Sequence, residues 1–519
     1  AGEELYRAGD LDFDWVVVSS GAVDAVVPSD EGEEVLHHAT AGHFLGELAL
    51  LSGYRSLATA RVAEAGEVIA VPRAQFRHLV ITEPELSEVI VDAFSARRAI
   101  NLSRGAAWLH VVGSRLSPES LRLREFIARN RLPHRWIEVE AGAADGLLAA
   151  HGLSRDDLPA VIAGGETLRR ATPDALSSFL GLSKDDLAEH AFDVVVVGAG
   201  PAGLAASVYA ASEGLSVLAI ETLAAGGQAG TSSRIENYLG FPAGISGADL
   251  AGRATVQASK FGAALSYPCA AVGLDEHQGD LVIRLKDGGE VFGRALIVAT
   301  GARYRRLSIP ELPRFEGCGV YYAATELEMK QCAGLPVVVV GGGNSAGQAA
   351  IFLADSGSQV ILAVRAADLA ENMSAYLVER IRAHPRIDVR TRTEVVGLAG
   401  REMLSGCTLR GPDGTAEDVM CTALFSFIGA EPATDWLSGT VPLDASGFVL
   451  TDRSLDRATL GERWERLGRD PLPFESGRPG VFAAGDVRAG PVKRVAAAVG
   501  EGGAVIRSVH EYLHGGPGR

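Results

Sequence analysis

Twice in this 519-residue chain a run of four valines meets a glycine-rich turn, and no other feature constrains the fold as strongly. Val194–Val197 lead into Gly198-Ala199-Gly200-Pro201-Ala202-Gly203, and Val337–Val340 into Gly341-Gly342-Gly343-Asn344-Ser345-Ala346. Consecutive β-branched residues with no polar face predict strands buried on both sides, as in a parallel sheet. Each turn opens an Ala-rich stretch predicted to be helical. Strand, glycine turn and helix together let backbone N–H groups approach a pyrophosphate at the helix N-terminus. After the first turn, a strand over 216–220 ends at Glu221, 18 residues past Gly203, where an acid accepts ribose hydroxyls. After the second, a strand over 360–364 ends at Arg365 with no acid.

Composition narrows the class further. Hydrophobic residues make up 47% and charged residues 22%, too apolar for a disordered chain. The formal charge of −17 argues against nucleic-acid or membrane-surface partners. Two uncharged stretches, 194–212 and 335–354, reach span length, but both contain the glycine turns and neither is expected to cross a membrane. Five cysteines, none as CxxC, fit neither a disulfide framework nor a metal cluster. The chain starts at Ala1 with no signal-peptide pattern, and a cytoplasmic location is expected.

Along the chain, short strand-like runs (15–18, 22–27, 68–71) predict a small antiparallel β roll, followed by a helix to about residue 104. Residues 105–185 alternate strand and helix: strands at 109–112, 136–139 and 159–163, helices at 118–129 and 175–180. From 192 onward the pattern is α/β. The charged, Pro-containing stretch 453–478 is expected to be a surface insertion.

Four further segments carry a family resemblance. They are Gly226-Gly227-Gln228, the run 235–242 containing Asn237, Ala299-Thr300-Gly301-Ala302, and Val481-Phe482-Ala483-Ala484-Gly485-Asp486. With the first glycine turn they resemble the low-molecular-weight thioredoxin reductases over residues 192–519. The resemblance implies FAD bound at Gly198, Gly200, Pro201, Ala202, Gly203, Glu221, Gly227, Gln228, Asn237, Thr300, Gly301, Gly485 and Asp486. It implies a nicotinamide nucleotide at Gly341, Gly343, Asn344, Ser345 and Ala346, with hydride passing to FAD. It also implies a homodimer and two interleaved Rossmann-like lobes, 191–305 plus 430–519 for FAD and 306–429 for NAD(P). The family's NADPH signature is His-Arg-Arg; here Val364-Arg365-Ala366 retains one cation, and the reading leans to NADPH. Gln348 stands where the family usually has Glu.

The same comparison exposes a loss. The family's redox CxxC falls on Ala323 and Glu326, neither of which can exchange disulfides. Cys318 and Cys332 flank the site and are read as either an unexpected redox pair or two unrelated buried thiols. Glu326 is read as a proton donor to flavin or as a solvated carboxylate. Lys493 and Arg494 are read as cations near the flavin pyrimidine edge or as an exposed basic pair.

Upstream, residues 1–104 resemble a cyclic-nucleotide-binding domain through Phe44-Leu45-Gly46-Glu47-Leu48-Ala49-Leu50-Leu51 with Arg55, Ala58 and Thr59 behind. Gly46, Glu47, Arg55 and Thr59 are its ligand candidates, although Arg55 sits one residue early. A ligand-free docking role stays open. Residues 105–190 resemble a glutaredoxin or thioredoxin domain through Leu158-Pro159-Ala160-Val161-Ile162 and Gly164-Gly165, with Ser117-Pro118-Glu119-Ser120 where CxxC belongs. The expected protein is therefore multidomain, an FAD-dependent NAD(P)H oxidoreductase whose electron acceptor is unidentified. A nicotinamide- or cyclic-nucleotide-responsive sensor with little turnover is the alternative.

Overall fold

The fold follows from where the β-branched runs lie. The structure, a computed structural model, describes all residues other than 30–31, 105–108, 116, 143, 164–165, 185–186, 188–190, 233, 317, 323, 325–328, 330–331, 402, 491 and 516–519. The Gly164-Gly165 turn and Glu326 therefore lie outside the described residues.

Seven strands form the N-terminal roll: β1 (Glu4–Tyr6), β2 (Trp15–Val18), β3 (Ala22–Ser29), β4 (Gly32–Thr40), β5 (Phe44–Leu45), β6 (Thr59–Glu64) and β7 (Val68–Val71). They make two antiparallel sheets, β1-β6-β3-β4 and β5-β2-β7. The short helix α1 (Glu47–Ser52) follows β5, and α2 (Arg73–Thr82) and α3 (Pro84–Arg104) leave the roll.

The next unit runs β8 (Leu109–Gly113), α4 (Pro118–Arg129), β9 (His134–Glu138), α5 (Ala144–Ala150), β10 (Ala160–Ala163), β11 (Glu166–Leu168) and α6 (Pro173–Leu180). Its sheet order is β11-β10-β8-β9; β8 and β9 are parallel, as a helical crossover requires, and the rest is antiparallel. The Leu158–Pro159 peptide is cis. Ser117 caps α4 by accepting the Ser120 N–H at 3.2 Å, with Pro118 at the first helical position.

Both valine runs become central parallel strands. β12 (Ala191–Val197) feeds α7 (Pro201–Ser212), and its four valines are at most 5% exposed. Burying each contributes roughly 1.5–3 kcal/mol before entropy is subtracted. There follow β13 (Val217–Ile220), α8 (Gly247–Lys260), β14 (Ala264–Ser266), β15 (Ala271–His277), β16 (Asp280–Leu285) and β17 (Glu290–Val298). The sheet order is β14-β13-β12-β17-β16-β15, with the strand Val481–Ala483 returning from the far end of the chain onto β17.

A second sheet lies between these two visits. β18 (Ala302–Tyr304) leads out through α9 (Leu312–Phe315) and β19 (Val320–Tyr321) to β20 (Pro336–Val340), the helix Asn344–Asp355 and β21 (Gln359–Val364). Then come the helix Ala375–Ala383, β22 (Ile387–Thr391), a meander of β23 (Glu394–Gly400), β24 (Leu404–Arg410) and β25 (Ala416–Met420), and β26 (Ala423–Ser426). The order β19-β26-β20-β21-β22 is parallel throughout. β27 (Ala430–Pro432) pairs with β18, so the chain enters and leaves this unit through one antiparallel ribbon.

The stretch 453–478 corrects an expectation. It is not merely superficial: Glu475 is fully buried, and Arg469 clamps it through bonds of 2.7 and 2.9 Å. The Leu472 and Gly480 N–H groups supply the remaining donors to the carboxylate, and Trp464 is buried beside it. Charge content misled because the ion pair is satisfied inside the fold.

Candidate functional site

A cavity of 2580 Å³ opens between the two Rossmann-like sheets and extends under α4. That exceeds the roughly 300–1000 Å³ of a usual small-molecule site and accommodates more than one dinucleotide-sized ligand.

The first glycine turn forms its floor. Gly198 has φ of +106°, and a Cβ there would sit 2.3 Å from the Ala299 carbonyl oxygen. Gly203 packs α7 onto the turn so closely that a Cβ would meet the Gly198 carbonyl oxygen at 1.8 Å. Gly200 caps α7 and Pro201 starts it, leaving the helix N-terminus facing the cavity that both residues line, with Ala202 beside them. Glu221 ends β13 as expected: its Oε2 accepts the Ala199 N–H at 2.9 Å, and its Oε1 accepts the Thr222 N–H and hydroxyl.

Gly227, Gln228, Thr300 and Gly301 also line the cavity. The Gln228 amide donates to the Ala302 carbonyl, and the Thr300 hydroxyl to the Ala433 carbonyl at 2.8 Å. Gly485 lies beneath, its N–H held by Glu501 at 2.7 Å, and Glu501 also pairs with Arg488. Asp486 lines the cavity half-buried; burial pushes its carboxyl above the usual range, Lys493 pulls it down and Glu501 raises it again. Lys493 and Arg494 line the same wall with exposed side chains, and the Lys493 ammonium lies 5.5 Å from the Phe448 ring centre. Asn237 is exposed on its turn and does not line the cavity.

The second turn repeats the first. Gly341 has φ of +142°, and a Cβ would meet the Phe427 carbonyl oxygen at 2.4 Å. Gly343 caps the helix Asn344–Asp355, Ala346 is buried beneath, and Ser345 reaches the large cavity. Asn344 is tied to Ser374 by two bonds, 2.7 and 3.0 Å. Arg365 stands exposed just past β21.

Between the lobes sits an aromatic group absent from the sequence reading. Tyr304 and Tyr322 stack at 6.3 Å and 12°, with Phe427 edge-on to Tyr304. The Tyr322 hydroxyl donates to Glu316 at 2.7 Å; burial first, then that carboxylate, pushes its pKa up. Cys318 lines the cavity, and burial raises its thiol pKa. Cys332 is buried in the apolar core around β20 and the helix Asn344–Asp355, and it does not line the cavity. Among the described residues neither forms a disulfide.

The upstream units approach the same site. At the end of α4, Arg129 donates to the Gly227 carbonyl at 3.0 Å and Asn130 to that of Leu223 at 3.2 Å. Arg131 pairs with Asp249 of α8 at 2.6 Å. Arg98 of α3 donates to the Asn130 carbonyl and also lines the cavity. None carried a motif, because an ordinary Arg or Asn on a helix or its end has no signature until the units pack. Ser120 is fully buried and accepts the Ser114 N–H.

In the roll, Gly46 has φ of +104° and starts α1. Glu47 is 1% exposed; Arg97 of α3 bonds its Oε1 at 2.8 Å, while its Oε2 has no partner among the described residues. Burial raises the Glu47 carboxyl pKa and Arg97 opposes it. Arg55 does not join Glu47: its guanidinium donates to the Gly9 carbonyl at 2.7 Å and its N–H to Leu180. The Thr59 hydroxyl accepts the Ala8 N–H. These bonds tie the roll to its own N-terminal segment and to α6, which is where the early position of Arg55 directs it. Among the described residues no group of three or more His, Cys, Asp or Glu side chains could hold a metal ion, and no helix is long and apolar enough to cross a membrane.

Two strand–glycine turn–helix units, the first lining the cavity through Gly198, Gly200 and Pro201 and the second reaching it through Ser345, define a two-dinucleotide oxidoreductase. The chain belongs to the pyridine nucleotide-disulphide oxidoreductase family, whose pattern matches residues 192–502. The cyclic nucleotide-binding domain pattern matches residues 1–83. The chain is similar to the thioredoxin reductase of Treponema pallidum, with 32% identity over 63% of this chain and 98% of the relative. It is also similar to that of Streptomyces clavuligerus, with 32% identity over 62% and 94%. Among solved structures, the thioredoxin reductase of T. acidophilum superposes with a TM-score of 0.55 at 27% identity, covering 62% of this chain and 98% of that one. Enzymes of this family use FAD and NADPH. The residues present fit such groups: glycine at 198, 203 and 341 keeps the turns tight where a Cβ would strike a neighbouring carbonyl, and Gly198, Gly200, Pro201 and Glu221 line the cavity.

Proposed function

We propose that this protein is an NAD(P)H oxidoreductase of thioredoxin-reductase type that delivers electrons to an acceptor other than a dithiol pair at the family's usual position. The carrying observation is that Ala323 and Glu326 replace the two cysteines, while Cys332 lies in an apolar core away from the cavity that Cys318 lines. When bound, FAD supplies hydride acceptance from the nicotinamide and onward electron transfer.

The chain's own groups do the rest. The turns at Gly198 and Gly341 present N–H groups to pyrophosphates. Glu221 and Asp486 anchor opposite parts of the flavin site. Lys493 and Arg494 offset negative charge on that wall. Tyr304, Tyr322 and Phe427 keep water from the space between the lobes. The division 191–305 plus 430–519 for FAD and 306–429 for NAD(P) follows the two sheets. The unit 105–190, read as glutaredoxin-like, serves as a redox-silent cover, since Ser117 and Ser120 are spent on capping and buried hydrogen bonds.

Stopped-flow mixing of the flavin-loaded protein with NADPH, then assay with thioredoxin, DTNB, quinones and ferricyanide, tests this. Rapid flavin bleaching with turnover on quinone or ferricyanide, unchanged in Cys318→Ala and Cys332→Ala, is expected. Thioredoxin turnover abolished by either substitution defeats the proposal.

A second reading rests on Glu47 alone. Its unpartnered, buried Oε2 is an acceptor suited to a ribose hydroxyl, favouring a cyclic-nucleotide-responsive regulator. Calorimetric titration with cAMP and cGMP decides it; no heat from either retires it.

A further inference from the structure

A second cavity, of 210 Å³, lies where the roll, the segment after α6 and α8 meet. Four cations line it: Arg73 and Arg77 from α2, Lys184 from the connecting segment and Lys260 from the last turn of α8. Among the described residues its wall holds no Asp or Glu. On a chain of net charge −17, a carboxylate-free wall with four cations needs a reason.

Arg73 donates to the Leu11 carbonyl at 2.8 Å and Lys260 to the Ser87 hydroxyl at 2.9 Å, both neutral acceptors. Arg73, Arg77 and Lys260 form no ion pair among the described residues. Burial and then the charge of Arg77 lower the Arg73 pKa, with Asp12 opposing, as happens when cations crowd together. Three segments of the chain thus bring like charges to one seam, at a cost that an anion would remove.

We propose that this junction binds a compact, multiply charged oxyanion of the phosphate class. At about 30 Å³ per water the cavity holds roughly seven waters, and it is smaller than the ~300–1000 Å³ of sites that enclose larger ligands. Inorganic phosphate or pyrophosphate fits; a whole nucleotide does not. The site is separate from both glycine turns, yet α8 walls both cavities, and Thr255 lines each. An anion here fastens the roll to the flavin-side sheet through the helix that also carries Asp249, the partner of Arg131.

The test uses the full chain loaded with FAD, titrated calorimetrically with pyrophosphate and with inorganic phosphate at constant ionic strength set by KCl. Saturable heat is expected, with affinity falling about tenfold in Arg77→Gln and again in Lys184→Gln, and with flavin absorbance unchanged. Both side chains are exposed, so neither substitution removes core packing. No saturable heat overturns the proposal. So does heat that survives both substitutions unaltered, because it places the anion at the glycine turns instead.

Discussion

The two glycine turns share one design and differ in what surrounds them. At the first, Glu221 grips the turn, Gly485 and Glu501 brace it from below, and Arg129 and Asn130 hold its far side through Gly227 and Leu223. At the second, one Asn344–Ser374 clasp secures the helix start and Arg365 stands exposed. The enclosed turn suits a ligand that stays; the open one suits a ligand that exchanges every cycle. The sequences of the turns are too alike to show this. The contrast comes from contacts between separate parts of the chain, such as that of Arg129 with Gly227, 98 residues apart.

The largest effects should come from closing each turn in turn. Gly203→Val places carbon 1.8 Å from the Gly198 carbonyl, which α7 can escape only by moving off the sheet. The purified variant is expected to be colourless or unfolded, as judged by its absorbance spectrum and circular dichroism. Gly341→Val, facing the Phe427 carbonyl at 2.4 Å and at a φ that disfavours side chains, should spare flavin but abolish its reduction by NADPH. Equal flavin loss in both would erase the distinction between the turns.

A smaller effect is expected at Arg365. If its cation reads the 2′-phosphate, Arg365→Ala raises KM for NADPH about tenfold and leaves NADH nearly unchanged. Parallel changes for both nucleotides would assign the discrimination elsewhere.

The smallest effect sharpens the enclosed turn. The Asp486 pKa is raised in the fold, so the native state binds that proton more tightly than the unfolded chain. Stability from this group is full below the ordinary carboxylate pKa of about 4 and is lost as pH rises through the raised value. Flavin-free Asp486→Asn should therefore melt above the parent at neutral pH, with the gap closing near pH ~4, while retaining flavin less well. A melting temperature equal at both pH values removes the burial cost from Asp486.

Much of the architecture was legible because its signals are local. Four β-branched residues before a glycine turn have few alternatives to a buried parallel strand. Glu221 could be located because strand, turn and helix consume a set number of residues. Legibility ended where spacing stopped carrying information. Arg55 lies near Glu47 in the chain but bonds to the Gly9 carbonyl. Asn237 lies on an exposed turn, although its segment carries the family pattern. The 453–478 stretch looked superficial by charge, yet Arg469 and Glu475 neutralise each other inside.

By itself, then, the sequence determined the two valine strands with their glycine turns, the β-rich N-terminal domain and the absence of any CxxC, since backbone geometry, side-chain period and residue spacing are properties of neighbouring residues. Tertiary structure alone decided that α4 covers the first turn, that Tyr304 and Tyr322 stack between the lobes, and that four cations meet at one seam. Those are encounters between surfaces, and a cation on a helix has no sequence signature until packing supplies its counterpart or withholds it.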